Sequence, residues 1–228
     1  MLPAYEEIAQ MIDHSILRPE WGERETREGC EIAMRYGVAS VCVKPCFVPL
    51  AAELLAESRV RVGTVVGFPH GGHTTLTKCF ETVEARRQGA QELDMVVNIA
   101  CVLSEKWETV VTDIAAVTEM AHANGALIKV IFENCYLGES HKIRLCEICG
   151  QIGADFVKTS TGFGPSGATE DDVRLMRKHS PPQVQIKAAG GIRTLDPAIR
   201  MRELGCTRIG ATATVQILDD LRARLAQH

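Results

Sequence analysis

The sequence lacks a long apolar run and lacks any block of like charge. A membrane-spanning helix needs about 18 or more consecutive apolar residues, and no run in this chain approaches that length. The 25 lysine and arginine residues are mixed with 29 aspartate and glutamate residues, whereas nucleic-acid-binding domains cluster their basic residues. These absences argue against membrane and nucleic-acid partners and favour chemistry on a small molecule.

The chain also lacks the features of a secreted, disulfide-linked protein. Its first residues, MLPAYEEIAQMIDH, are acidic where a signal peptide would be basic. Its nine cysteines are odd in number and irregularly spaced, which predicts reduced thiols and a cytoplasmic location. Cys146 and Cys149 have C-x-x-C spacing, but no second pair accompanies them. We therefore interpret them as packing residues of a helix and not as a zinc site.

Short β-branched runs alternate with amphipathic stretches along the whole chain, which predicts parallel βαβ units. The predicted strands are Ile12–Ile16, Ser40–Val43, Arg61–Phe68, Glu92–Ile99, Leu127–Ile131, Phe156–Ser160, Gln185–Ala188 and Arg208–Ala211. The predicted helices cover residues 24–36, 47–57, 75–89, 105–124, 139–152, 169–179, 196–204 and 214–226. This pattern predicts an α/β fold, a (β/α)8 TIM barrel made by a single domain, residues 1–228. An open, doubly wound sheet is the alternative, although no G-x-G-x-x-G follows the first strand.

Four predicted strands carry a charged residue where a parallel strand covered on both faces should be apolar. These residues are Asp94, Lys129, Lys158 and Lys187. Ion pairs that fill the barrel interior would explain any one of them, because a buried charge is costly unless it is paired. Lys158 and Lys187, however, lie in consecutive strands, just before each strand gives way to a Gly/Thr-rich loop, and barrels of this kind place their active sites at the carboxyl ends of strands. Together they predict a catalytic pair.

Two neighbouring ammonium groups have a chemical use. Only a neutral amine attacks a carbonyl, and a free lysine with a pKa of about 10.4 is almost fully protonated at pH 7. Two unit charges about 4 Å apart, at an effective dielectric constant of about 20, repel by about 4 kcal/mol, which equals about 3 pKa units. Desolvation lowers a lysine pKa further, and Asp94 opposes the shift in the lysine it contacts. These magnitudes leave open which lysine attacks.

Longer segments resemble those of the deoxyribose-phosphate aldolases. Val157-Lys-Thr-Ser-Thr-Gly-Phe is similar to the family's Schiff-base motif, and Lys187-Ala-Ala-Gly-Gly-Ile-Arg-Thr is similar to its second-lysine motif. Further similar segments extend over nearly the whole chain: Ile12-Asp-His, Val41-Cys-Val, Val66-Gly-Phe-Pro, Glu92-Leu-Asp-Met-Val-Val-Asn-Ile, Lys129-Val-Ile, Gly153-Ala-Asp-Phe-Val-Lys-Thr-Ser-Thr-Gly-Phe-Gly-Pro and Arg208-Ile-Gly.

The resemblance implies a reaction and roles for three residues. Lys158 would form the imine, Lys187 would tune it and take part in proton transfer, and Asp94 would handle protons through the bound substrate or a water. The family's reaction is the reversible cleavage of 2-deoxy-D-ribose 5-phosphate to D-glyceraldehyde 3-phosphate and acetaldehyde. It requires neither a metal nor an organic cofactor, and the sequence shows no ligand cluster for one.

A phosphate site is expected in the loops after strands 7 and 8, where these barrels usually bind phosphate. Glycines let backbone N–H groups approach an oxyanion, and a threonine near a helix N-terminus adds a hydroxyl. Any one of these glycines alone would be an ordinary turn, but they share one end of the barrel. The candidate phosphate-binding residues are Gly162, Gly190, Gly191, Arg193, Gly210 and Thr212.

Other residues are assigned to the surroundings of the site. Asp13 and Lys129 belong to segments that resemble the family, and Asp13 is either a partner of Lys187 or a cap on the first strand. Cys42 should border the site as a packing cysteine, which we prefer over a reactive thiol. Polar loop residues, and not catalytic bases, are expected at His14, His70 and His73.

Some positions depart from the family pattern. His70 stands where a leucine often follows Phe-Pro, Ala100 stands where a glycine often follows Asn-Ile, and the last loop reads Gly210-Ala-Thr-Ala-Thr214. The chain ends at His228 and not at the tyrosine that some members carry. Two alternatives therefore stay open: a related aldolase for another phosphorylated sugar or acceptor, and a barrel that only binds a sugar phosphate. Apolar positions on the outer helices also leave a homo-oligomer open.

Overall fold

Eight parallel strands form a closed barrel in the computed structural model, which describes residues 2–227. The strands are β1 (Ile12–Ile16), β2 (Ser40–Val43), β3 (Arg61–Val66), β4 (Glu92–Val96), β5 (Leu127–Ile131), β6 (Phe156–Lys158), β7 (Gln185–Ala189) and β8 (Cys206–Ala211). Each strand pairs with the next along the chain, and β8 pairs with β1. The predicted (β/α)8 barrel is confirmed, and the alternative of an open sheet is wrong. Met1 and His228, the ends of the predicted domain, lie outside the described residues.

Helices connect the strands and cover the barrel. They are α1 (Tyr5–Ala9), α2 (Glu23–Tyr36), α3 (Val48–Leu54), α4 (Thr75–Arg87), α5 (Ile99–Leu103), α6 (Trp107–Ala123), α7 (Glu139–Ile152), α8 (Glu170–His179), α9 (Leu195–Glu203) and α10 (Thr214–Leu225). The sequence analysis did not predict α1, α5 or the short 3-10 helices Pro45–Phe47 and Asn134–Tyr136. Within residues 2–227, none of the helices has both the length and the apolar character needed to cross a bilayer.

Three strands end earlier than the sequence pattern predicts. The strand from Arg61 stops at Val66, because Gly67 adopts a left-handed conformation (φ +63°) that a strand cannot continue. The strand from Glu92 stops at Val96, because the Asn98 side chain accepts a hydrogen bond from the Cys101 N–H at 3.1 Å and caps α5. The strand from Phe156, β6, ends at Lys158 instead of Ser160.

Alternation along the strands separates an apolar layer from a charged interior. In β5, Ile128 and Val130 belong to the apolar core, whereas Lys129 between them contacts charged residues of β1 and β4. This is the period of two that a strand imposes on its side chains. Cys146 and Cys149 of α7 are fully buried members of the same core, as their interpretation as packing residues requires.

Candidate active site

The register of the strands brings four charged side chains together inside the barrel. Asp94 of β4 is level with Lys129 of β5, and Lys158 of β6 is level with Lys187 of β7. Their side chains are at most 4% exposed. The four charged strand residues found in the sequence therefore meet in one buried cluster.

Asp94 is the shared partner of the three lysines. Its Oδ2 atom accepts hydrogen bonds from Lys158 Nζ and from Lys187 Nζ, each at 2.7 Å. Its Oδ1 atom accepts a hydrogen bond from Lys129 Nζ at 2.8 Å. One carboxylate oxygen thus holds the ammonium groups of β6 and β7 as close neighbours.

Three more charged residues complete the cluster. Asp13 Oδ2 accepts a hydrogen bond from Lys187 Nζ at 2.5 Å. Glu92 Oε2 lies 2.8 Å from Lys129 Nζ. Arg208 donates to Asp13 and to both carboxylate oxygens of Glu92, the latter at 2.8 and 2.9 Å. The sequence analysis did not assign Glu92 or Arg208 to the site, although each is a charged residue within a strand.

The cluster contains one more positive group than negative groups. The cations are Lys129, Lys158, Lys187 and Arg208, and the anions are Asp13, Glu92 and Asp94. If all seven were ionised, one buried positive charge would have no counter-charge, which is costly. Loss of a proton from one lysine removes this excess, so the cluster favours one neutral amine.

Lys158 is the lysine whose pKa is lowered. Burial lowers the pKa of Lys158, and the charge of Lys187 lowers it further, against the opposing effect of Asp94. Burial acts on Lys187 too, but Asp13 and Asp94 outweigh it and raise the pKa of Lys187. Burial would raise the pKa of Asp94, yet the three lysines hold it well below its ordinary value. Lys158 is therefore the amine that most readily becomes neutral beside a charged Lys187.

Lys158 and Lys187 reach a cavity of about 420 Å³ at the carboxyl ends of the strands. Asp13 and Cys42 also line this cavity, whereas Asp94 and Lys129 are buried behind it. The six candidate phosphate-binding residues line the same cavity: Gly162, Gly190, Gly191, Arg193, Gly210 and Thr212. The structure thus places the two amines and the glycine-rich turns after β6, β7 and β8 around one cavity.

Cys42 lies in an apolar part of the cavity wall. It packs with Leu17, Val65 and Phe68. Burial raises the pKa of the Cys42 thiol to about 11, and Asp94 contributes in the same direction. A thiol with this pKa stays protonated near neutral pH and is a poor nucleophile.

Two loops contribute cavity residues that the sequence analysis did not name. They are Ser15, Leu17, Arg18 and Glu20 at and after the end of β1, and Thr161 and Phe163 after β6. Phe163 packs edge-on against Phe68, with ring centroids 5.4 Å apart. Their positions in the sequence could have identified these residues, because the loops at the carboxyl ends of barrel strands surround the active site.

The three histidines lie outside the charged cluster. His14 is within β1 and is buried, so its interpretation as a loop residue is wrong; its Nδ1 atom is 2.8 Å from Thr214 Oγ1. Burial lowers the pKa of His14 to about 4. His70 and His73 are exposed in the connection from β3 to α4, as expected of polar loop residues.

Comparison with known proteins assigns the family. The model of the DeoC/LacD family aldolases matches residues 8–213. This chain belongs to that aldolase family. A protein of Rhodopirellula baltica named deoxyribose-phosphate aldolase is 51% identical over 221 residues, which cover 97% of this chain and 92% of that protein. A protein of Caldanaerobacter subterraneus subsp. tengcongensis with the same name is 50% identical over 214 residues, which cover 93% of each chain.

Solved structures of aldolases superpose on this one over almost its whole length. An aldolase designated QR15 has a TM-score of 0.92 at 39% identity and covers 97% of this chain and 98% of its own. A deoxyribose phosphate aldolase from Aeropyrum pernix, described as having a unique tetrameric structure, has a TM-score of 0.90 at 28% identity and covers 97% of this chain and 93% of its own.

Proposed function

We propose that this protein catalyses the reversible aldol cleavage of 2-deoxy-D-ribose 5-phosphate to D-glyceraldehyde 3-phosphate and acetaldehyde. The observation that carries the proposal is the Lys158 amine, which lies at the cavity and shares Asp94 Oδ2 with a charged Lys187. The names of relatives about half identical to this chain support the choice of substrate.

Lys158 is the nucleophile of the proposed mechanism. Its neutral amine attacks the aldehyde carbon of the open-chain sugar and forms a carbinolamine, which loses water to give an iminium ion. Cleavage of the bond between C2 and C3 leaves its electron pair in the iminium system as an enamine, while the C3 hydroxyl loses its proton and becomes the aldehyde of glyceraldehyde 3-phosphate. Protonation of the enamine and hydrolysis of the resulting imine release acetaldehyde and restore the amine.

Lys187 and Asp94 serve the proton transfers. Because Asp94 is buried behind the lysines and its pKa is held low, we assign it to keeping Lys187 charged and to orienting both amines. Lys187 reaches the cavity and can exchange a proton with the substrate directly or through a water. Asp94 then acts on the substrate's protons through Lys187.

The phosphate group would bind among the glycine-rich turns that line the cavity. Gly190 and Gly191 have φ values of +83° and +86°, a left-handed conformation that suits glycine and forms concave turns of backbone N–H groups. Thr212 lies just before α10, where a helix N-terminus favours an anion. Arg193 lines the same region and supplies a positive charge.

The first experiment is borohydride reduction of the purified protein with 2-deoxy-D-ribose 5-phosphate, followed by peptide mapping of the modified lysine. We expect the adduct on Lys158. An adduct on Lys187 or Lys129 would keep the imine chemistry but contradict the assignment of the nucleophile. No adduct in a protein shown to bind the substrate would favour a barrel that only binds a sugar phosphate.

Kinetics of a lysine variant test the same assignment. Lys158→Ala should lower kcat/KM by several orders of magnitude, because it removes the group that forms the covalent intermediate. Lys142→Ala is the matched control, since Lys142 pairs with Asp172 outside the barrel interior. Full activity of the Lys158 variant would contradict the proposed mechanism.

A related aldolase with another phosphorylated sugar or acceptor is the second candidate. The observation that favours it is the departure of Gly210-Ala-Thr-Ala-Thr214 from the family pattern, because Gly210, Ala211 and Thr212 line the cavity. Comparing kcat/KM for several phosphorylated aldehydes as acceptors separates the two candidates. A clear preference for an acceptor other than glyceraldehyde 3-phosphate would support the second.

We also propose that the protein forms a homo-oligomer through α4. Leu76, Phe80 and Val83 lie four and three residues apart on this helix and are 81%, 70% and 38% exposed. They form a stripe on one face of the helix, here called the α4 stripe. The occupant we propose is a second copy of the chain, an arrangement supported by the tetrameric relative from Aeropyrum pernix.

A further inference from the structure

Glu133 is a buried carboxylate just beyond β5, and it contacts the loop that carries cavity residues. The residue is 2% exposed and adopts a left-handed backbone conformation, with φ +58° and ψ +63°. Such a conformation is unfavourable for a residue other than glycine and persists only where the surrounding structure holds it. Contacts with the neighbouring loop must therefore stabilise Glu133 in this conformation.

Glu133 binds one residue of that loop twice. Its Oε1 atom accepts a hydrogen bond from the Thr161 N–H at 3.1 Å, and its Oε2 atom accepts one from the Thr161 hydroxyl. The Thr161 Oγ1 atom in turn accepts a hydrogen bond from the Phe163 N–H at 3.0 Å. Among the ion pairs of the described part of the chain, none includes Glu133, so its hydrogen bonds with Thr161, together with the neighbouring Cys135 thiol, stabilise this buried carboxylate.

The other end of the loop is held by backbone contacts with the loop after β7. The Ala168 N–H donates to the carbonyl oxygens of Ala189 and Gly190 at 3.0 and 3.2 Å. Gly167 lies so close to Gly190 that a Cβ atom on Gly167 would be 2.3 Å from the Gly190 carbonyl oxygen. The segment between these two anchors contains Gly162 and Phe163, which line the cavity.

Gly162 lies beside the phosphate-binding glycines. A Cβ atom built on Gly190 would be 3.8 Å from the Gly162 Cα atom. Glu133 also fills the space behind the loop, since a Cβ atom on Gly164 would be 3.2 Å from the Glu133 Cδ atom. The position of Gly162 relative to Gly190 is therefore set from one side by Glu133 and from the other by Gly167.

We propose that Glu133 is a positioning residue that fixes the Thr161–Phe163 segment and so holds Gly162 against Gly190 at the phosphate end of the cavity. This inference rests on the proposed aldolase function and adds a determinant of phosphate recognition to it. Glu133 does not line the cavity, so it acts on the substrate through Thr161 and Gly162.

The test compares two substrates, 2-deoxy-D-ribose 5-phosphate and 2-deoxy-D-ribose, in the wild type and in variants. Glu133→Ala leaves Thr161 without its partners and should lower kcat/KM for the phosphorylated sugar about 10- to 100-fold, mainly through KM. For the sugar without phosphate we expect a change below about 3-fold. Glu133→Gln keeps the shape and an acceptor oxygen and should recover most of the loss.

Thr161→Val makes the test independent of whether the Glu133 variants fold. It removes only the hydroxyl that bridges Glu133 and Phe163 and should lower the preference for the phosphorylated sugar in the same direction. Glu139→Ala is the matched control, because it removes an exposed carboxylate at the start of α7. Equal losses for both substrates, unchanged kinetics in Thr161→Val, or a Glu133→Gln variant as impaired as Glu133→Ala would overturn the proposal.

Failure of the underlying function gives a different result. If the wild type does not cleave 2-deoxy-D-ribose 5-phosphate and forms no borohydride-reducible adduct, the proposed function itself is wrong. If the wild type is active and the variants do not distinguish the two sugars, the aldolase assignment stands and the role of Glu133 is wrong.

Discussion

The number of carboxylates around each lysine accounts for the direction in which its pKa is shifted. Lys158 contacts Asp94 alone, Lys187 contacts Asp94 and Asp13, and Lys129 lies within 3.6 Å of Asp94, Glu92 and Asp13. All three are buried, which favours the neutral amine. Only at Lys158 does burial outweigh the attraction, so the pKa is lowered there and raised at the other two.

Removing the charge of Lys187 should shift the pH dependence of imine formation. Imine formation should increase with pH as Lys158 loses its proton, with a midpoint below the ordinary lysine value of 10.5. In Lys187→Met the repulsion on protonated Lys158 is gone, so the midpoint should move to higher pH. The measurement is the rate of borohydride trapping against pH, with Lys142→Met as the control. A midpoint that stays in place or falls would contradict this account.

His14 should make the protein less stable below neutral pH. Its pKa is lowered from 6.5 to about 4 by burial, so between these values the unfolded chain binds a proton that the folded protein does not. The free energy of unfolding should therefore fall as pH decreases through this window, by up to about 1.4 kcal/mol per pH unit. Chemical denaturation at several pH values should show a smaller fall in His14→Gln. If the free energy of unfolding fell equally in His14→Gln and in the exposed control His70→Gln, the assignment of this pH dependence to His14 would be wrong.

A buried ion pair joins α4, α6 and the end of β4. Lys78 Nζ donates to Asp113 Oδ2 at 2.5 Å and to the Val96 carbonyl oxygen at 2.9 Å. Thr75 Oγ1 donates to Asp113 Oδ1 at 2.9 Å. The Lys78 and Asp113 side chains are 0% and 4% exposed. Both charges are paired, so neither carries the full cost of burial.

Removing one member of the Lys78–Asp113 ion pair should destabilise the protein more than replacing both members with apolar residues. Asp113→Ala leaves the buried Lys78 ammonium unpaired and should lower the free energy of unfolding by about 3–5 kcal/mol. The double variant Lys78→Met, Asp113→Leu removes both charges and should lose less. Urea denaturation measures both, with Glu119→Ala on the exposed face of α6 as the control. Equal losses in the single and double variants would show that the charge left behind is not the cause.

Local sequence patterns predicted all eight strands and most of the helices, but they did not predict which side chains make contact across the barrel. The bounds of β1, β2, β5 and α7 agree with the predicted ranges, because apolar periodicity and flanking turn residues are local signals. Lys158, Lys187 and Asp94 were found because charges interrupt apolar strands. The contacts of Arg208 and Glu133 depend on which side chains the folded barrel brings next to them. The spacing of residues along the chain does not reveal these partners.

The whole molecule exposes an apolar surface that a single barrel does not use. The α4 stripe borders a surface groove that includes Pro45, Cys46 and Pro49. A second copy of the chain would bury these side chains. Each Å² of apolar surface removed from water would stabilise the assembly by about 25 cal/mol. Within each copy, we propose that the chain folds as one domain, since every strand belongs to the same closed sheet.

Polar substitutions on α4 should reduce the size of the assembly. Leu76→Ser combined with Phe80→Ser removes the two most exposed apolar side chains of the α4 stripe and should shift the protein toward single protomers in sedimentation velocity. Met34→Ser is the matched control, because Met34 is an exposed apolar residue on α2, 40% exposed. An unchanged assembly in the double variant would place the interface elsewhere.

The pairing of β8 with β1 joins the two ends of the chain and completes the enclosure of the charged cluster. Asp13 and Arg208 are 195 positions apart, so their contact can form only after nearly the whole chain has been synthesised. Without β8, β1 and β7 would each lack one neighbouring strand, and we expect water to reach the lysines of the cluster. Hydration removes the burial that lowers the pKa of Lys158. We therefore expect Lys158 to react more slowly with aldehydes in a chain without β8 than in the closed barrel.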